Sequence, residues 1–97
     1  MKREQSLTAI INKTAKGFGI STSLMMSSCR HEEIVVPRMT AMALAHEYGF
    51  TGKRIERRFN KTRGTAINAY KKITNLAETD EEFLNTIKTI WEEIHES

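Results

Sequence analysis

The sequence predicts an all-α domain of about six helices that contains a helix-turn-helix. Three observations lead there. Apolar residues recur at helical spacing along most of the chain. No run alternates like a paired strand, since Ile34-Val35-Val36 is too short and meets Pro37. The single proline and the five glycines mark most of the joints between periodic segments. A length of 97 residues suits one small domain, read as 1–97 with residues 1–5 a flexible start.

Leu7, Ile10, Ile11, Thr14 and Phe18 share one face of a first helix, with Ser6 as its N-cap and Gly17 and Gly19 at its end. Ser21 caps a short second helix bearing Leu24 and Met25, and Ser27 to Glu33 reads as a polar loop. Pro37 suits the first turn of a third helix, roughly 35 to 48, because a first-turn N–H has no intrahelical partner to lose. That helix is rich in alanine and methionine (Met39, Ala41, Met42, Ala43, Leu44, Ala45), which lets neighbouring helices approach closely, and Gly49 stops it. Thr51 caps a fourth helix with Ile55 and Phe59 inward. Asn60-Lys61-Thr62 is a turn, and a fifth helix, 62 to 76, places Ala66, Ile67, Tyr70, Ile73 and Leu76 on one side. Thr79-Asp80-Glu81-Glu82 reads as a capping box for the last helix, whose stripe is Phe83, Leu84, Ile87, Ile90, Trp91 and Ile94. Trp91 is expected in the core.

Several function classes are excluded by composition. One cysteine, Cys29, permits no intramolecular disulfide and no cysteine-based zinc site. The best uncharged run, Gly17 to Cys29, is broken by glycine and serine and is no membrane span. The start, Met1-Lys2-Arg3-Glu4-Gln5, has no apolar segment after it and is no signal peptide, so a cytoplasmic location is expected. His31, Glu32, Glu33 and Cys29 match no closed zinc pattern, and no nucleophile–base or carboxylate pair stands out, so neither metal, cofactor nor enzymatic activity is expected. Tyr48 and Phe50, beside Gly49, either close the core or form a partner contact.

The net charge of +3 hides an asymmetry. Residues 51–77 carry eight Lys/Arg against Glu56 alone, a net of +7, whereas residues 78–97 carry Lys88 against seven acids. A basic middle beside an acidic end is the footprint of a polyanion-binding surface. The same segment, Thr51 to Leu76, has a helix-turn-helix layout. In such a pair the second helix enters the major groove and the first crosses the backbone. Arg63, Thr65, Asn68, Lys71, Lys72 and Asn75 lie on the outer side of the second helix. Arg suits guanine, Asn suits adenine, and a Thr methyl suits the thymine methyl. Lys53, Arg54, Arg57 and Arg58 of the first helix suit phosphates.

Pro37-Arg38-Met39-Thr40-Ala41-Met42-Ala43-Leu44-Ala45-His46-Glu47 resembles the Pro-Arg-x-x-Ala-Met-x-Leu-x-x-Glu stretch of the C-terminal DNA-binding domain (domain IV) of the bacterial replication initiator DnaA. Ile11-Asn12-Lys13-Thr14 with Phe18 and Leu24 is similar to that domain's first two helices. Ile55 and Phe59 stand where the family has Ile-Gly-x-x-Phe, and Ala69-Tyr70-Lys71-Lys72-Ile73 matches Ala-x-x-Lys-Ile of its recognition helix. The resemblance covers about residues 7 to 94. It implies a Trp-repressor-like helix-turn-helix that binds double-stranded DNA. It also implies that Arg30 enters the minor groove and that Arg38 contacts the backbone. The family's Gly-Gly-Arg-Asp-His-Thr-Thr-Val is replaced by the shorter Asn60-Lys61-Thr62-Arg63-Gly64-Thr65-Ala66, in which Thr65 alone corresponds. Base reading is therefore expected to differ from that of a standard DnaA box. No Gly-x-x-x-x-Gly-Lys-Ser/Thr phosphate loop occurs, so a standalone module without the ATPase is expected.

The expected function is sequence-selective duplex DNA binding in transcriptional regulation or replication control. Arg30, Arg38, Lys53, Arg54, Arg57, Lys61, Thr62, Arg63, Thr65, Asn68 and Lys71 form the expected interface. The alternative is a protein-interaction module of the same fold with weak DNA affinity, docking a replication protein through its acidic last helix or Tyr48 and Phe50.

Overall fold

The computed structural model describes residues 6–96. The expected flexible start, residues 1–5, and Ser97 lie outside the described residues. Six helices follow in order: α1 (Leu7–Gly17), α2 (Thr22–Met25), α3 (Glu32–Tyr48), α4 (Gly52–Phe59), α5 (Thr65–Thr79) and α6 (Glu81–Glu96). There is no strand among the described residues.

Helix α3 is the axis of the molecule, with α1, α2, α4 and α5 packed around it. Ala41 to Ala45 are all buried, one residue after another, so this helix has no solvent stripe at its centre. Around it Ile10, Ile11, Met25, Ile55, Ala66, Ala69, Ile90 and Ile94 complete the core. Helix α6 closes the other side of α1. A Cβ on Gly17 would overlap the Ile90 side chain, so the glycine sets how closely these two helices approach. The Lys13 ammonium donates to the Glu93 carbonyl at 2.8 Å across the same seam.

The expected caps at Ser6, Ser21 and Thr51 are in place, accepting from the N–H groups of Ala9, Leu24 and Arg54. Three boundaries differ from expectation. Helix α3 begins at Glu32, inside the expected loop, and Pro37 is its sixth residue rather than part of its first turn. The proline deprives the Glu33 carbonyl of an intrahelical donor. Glu33 is exposed, however, and water can serve that carbonyl. Its carboxylate and that of Glu32 also suit the dipole of the first turn. Helix α5 begins at Thr65, not residue 62, and continues to Thr79. The cap of α6 is Asp80, whose Oδ1 accepts from Phe83 N–H at 3.0 Å, while Thr79 still belongs to α5.

Two core expectations also change. Ile67 is 42% exposed. Trp91 is half-buried, against Tyr48 and His95 with ring centroids 6.2 and 4.3 Å away. Tyr48 and Phe50 are both half-buried and stack on each other at 6.2 Å, partly closing the core below the α3–α4 joint.

Candidate nucleic-acid interface

The helix-turn-helix is α4, residues 60–64 and α5. Ile55 and Phe59 face inward, and Ala66 and Ala69 are fully buried. Small residues let the helices cross closely: a Cβ on Gly52 would already touch that of Ala66, at 3.8 Å. Asn60 turns the chain out of α4 in the left-handed conformation (φ 56, ψ 49), and Lys61 N–H closes the turn on the Glu56 carbonyl at 2.8 Å. Asparagine is the usual substitute for glycine in that conformation. Gly64 (φ 90) makes the second left-handed step into α5. These two steps lengthen the turn to five residues and move Thr62 and Arg63 from helix to turn.

One consequence is a basin of about 690 Å3 between the end of α3, α4, the turn and the start of α5. Lys53, Arg57, Lys61 and Arg63 line it together with Glu56 and Ile67. The four cations come in pairs from α4 (Lys53, Arg57) and from the turn (Lys61, Arg63), and each is exposed. Four positive charges around one concavity raise the local potential and attract polyanions. Asn68 and Lys71 continue along exposed positions of α5, and Thr65 is half-buried with its hydroxyl 3.4 Å from that of Thr62.

Helix α5 is anchored in its first half by groups from elsewhere. At its start, Ala66 N–H donates to the Glu56 carboxylate, Oε2, at 3.0 Å in a buried position. One turn further, the Tyr70 hydroxyl donates to Glu47 Oε2 of α3 at 2.6 Å, and the Tyr70 ring lies edge-on to His46. The hydrogen bond to Glu47, the charge of Glu47 and then burial all raise the phenol pKa above its ordinary 10.

Three expected contacts sit apart from the basin. The Arg54 guanidinium lies over the Phe50 ring, 4.8 Å from its centroid, and lines a second cleft with Arg57, Arg58 and the start of α1. Arg30 is exposed on the loop between α2 and α3. Arg38 requires a correction. It is 6% exposed, and its guanidinium donates to the carbonyls of Met25 (2.8 Å), Ser27 (2.6 Å) and Cys29 (2.9 Å). Direct backbone contact gives way to a structural role: Arg38 fixes the loop on which Arg30 stands.

Glu56 and Ile67 are members of the site that sequence reasoning missed. A lone acid in a run of eight cations was the available signal for Glu56. Ile67 carried none, because its spacing fits the buried face. Among the described residues no group of three or more His, Cys, Asp or Glu is placed to hold a metal ion. None of the described helices is long and apolar enough to cross a membrane.

A family model described as the bacterial DnaA protein helix-turn-helix matches residues 7–73. The chain is also similar to the chromosomal replication initiator protein DnaA of Lactiplantibacillus plantarum, at 34% identity over 86 residues. The match takes in 87% of this chain and 19% of that protein, so the chain spans about a fifth of that relative's length.

Proposed function

The chain belongs to the bacterial DnaA helix-turn-helix family, and from that membership we propose that it is a double-stranded DNA-binding module with α5 in the major groove. The observation that carries this reading is the convergence of Lys53, Arg57, Lys61 and Arg63 on one basin at the start of α5. In this arrangement Lys53, Arg57, Lys61 and Lys71 hold phosphates, with Arg54 at the edge of the contact. Arg63, Asn68 and the Thr62/Thr65 hydroxyls face base edges. Ile67, apolar and exposed beside Arg63, suits a thymine methyl. Arg30 reaches the minor groove from its loop.

The module acts in replication control or transcriptional regulation. Its base preference differs from that of a standard DnaA box, because Asn60 to Ala66 replaces the family's reading motif. The rival interaction-module reading is less well supported. Tyr48 and Phe50 are engaged with each other, with Trp91 and with Arg54, whereas the cations of the basin point to solvent.

Selection from a random duplex library, followed by titration of Arg63→Ala and Lys53→Ala, tests the assignment. Losing a bidentate arginine–guanine contact costs about 1–3 kcal/mol of discrimination, so Arg63→Ala should narrow the gap between selected and scrambled DNA. Lys53→Ala should weaken both duplexes alike and reduce the salt slope by about one. Equal behaviour of the two variants on both duplexes sinks the division of labour.

A further inference from the structure

We propose that Glu56 sets the placement of the recognition helix, and thereby the DNA-sequence preference of the module, without itself touching DNA. This inference rests on the DNA-binding reading of α4 and α5.

An acid beside a phosphate-binding basin opposes binding, and Glu56 is the single acid between residues 51 and 77. Its geometry explains what it does there. The residue that precedes α5 is Gly64, which has no side chain to accept from the first-turn N–H groups. Glu56 performs that task from the neighbouring helix. It is 9% exposed, and its Oε2 accepts from Ala66 N–H at 3.0 Å. The carboxylate also lies at the positive end of the α5 dipole. The Glu56 carbonyl meanwhile accepts from Lys61 N–H at 2.8 Å. One residue therefore holds both ends of the turn that carries Lys61, Thr62 and Arg63. Glu56 occupies the glycine position of the Ile-Gly-x-x-Phe pattern that the chain resembles, so this anchor accompanies the replacement of the family's reading motif by the shorter Asn60–Ala66 segment. Major-groove readout depends on side chains at the start of the recognition helix. A slackened start of α5 thus costs discrimination between sequences before it costs phosphate attraction.

Reach and charge are separable. E56Q keeps an oxygen within reach of Ala66 N–H and loses the charge. E56D keeps the charge and is one methylene short. The measurement is equilibrium binding of wild type, E56Q and E56D to a selected and a scrambled duplex, paired with amide hydrogen exchange at Ala66 relative to Ala69. E56Q should bind both duplexes more tightly and keep their affinity ratio within about twofold. E56D should lose about fivefold or more of that ratio, on the scale of one base contact. Its Ala66 amide should exchange roughly tenfold faster relative to Ala69, as for a lost cap. Retention of the ratio by E56D overturns the inference while leaving DNA binding intact, as does an E56Q ratio as poor as that of E56D. A wild type that binds no duplex overturns the DNA-binding reading and this inference with it.

Discussion

Arg38→Ala should destabilise the domain strongly and leave the salt dependence of DNA binding unchanged. The guanidinium makes three hydrogen bonds to main-chain carbonyls of residues 25–29, and Arg38 as a whole is 6% exposed. Hydrogen bonds to a charged group contribute about 1.5–3 kcal/mol each. Burying the cation offsets part of that sum, and the loop carbonyls recover some water once the side chain is gone. A net loss of about 2–4 kcal/mol follows, a large fraction of the ~5–15 kcal/mol that holds a domain together. Arg38→Lys should recover less than half of it, because an ammonium on a flexible stem cannot span three acceptors as the planar fork does. Urea unfolding followed by far-ultraviolet circular dichroism measures both losses. Duplex binding under conditions where the variant is folded supplies the second readout. A phosphate-contacting Arg38 would give nearly normal stability, a full rescue by lysine and a salt slope shallower by about one. That combination would refute the structural role derived from these three bonds.

Ile94→Ala should cost more stability than Trp91→Ala, about 2–5 against roughly 2 kcal/mol, because Ile94 is fully buried and the indole is half-exposed; the reverse order in thermal melts would put the indole back in the core. Ile67→Ser should change stability by no more than about 1 kcal/mol, since the side chain is 42% exposed, yet weaken preference at a thymine position of a selected site; an unchanged site preference would separate Ile67 from base reading. The raised Tyr70 pKa means that the folded state holds the phenolic proton more tightly, so this contribution is complete below pH 10 and is lost as pH rises through the raised value. Wild type should therefore exceed Tyr70→Phe in stability at neutral pH and converge on it in alkali, and a difference that persists there would contradict the Glu47 bond as its source.

The helices themselves were legible because their local signals agree. Ser6, Ser21 and Thr51 each cap the helix that the apolar period marks. Local signals competed where the reading went astray. Pro37 is a common first-turn residue, but an exposed Glu33 carbonyl lets it sit deeper in α3. Thr79 and Asp80 are both good caps, and only the end of α5 decides between them. The basic surface was visible from charge alone, since long cations between residues 51 and 72 have few other destinations. The supports of that surface were not. Arg38 reaches carbonyls 9 to 13 residues back, and Glu56 reaches an N–H ten residues ahead, across a turn whose length depends on two left-handed residues. Ile67 has a spacing that fits the core, yet it stands one residue past the buried Ala66 and opens onto the basin.

The most direct test of polyanion binding by the α4–α5 surface is the affinity for random duplex DNA measured across a range of salt concentrations. Neutralising about five or six phosphates gives a fall of log K against log salt with a slope near −5. Lys53, Arg54, Arg57, Lys61 and Lys71, all exposed on α4, the turn and α5, provide cations of that number. Tight binding at low salt with such a slope is the expected result. A flat response, or no binding at low salt by the folded protein, would contradict a phosphate-holding role for this surface.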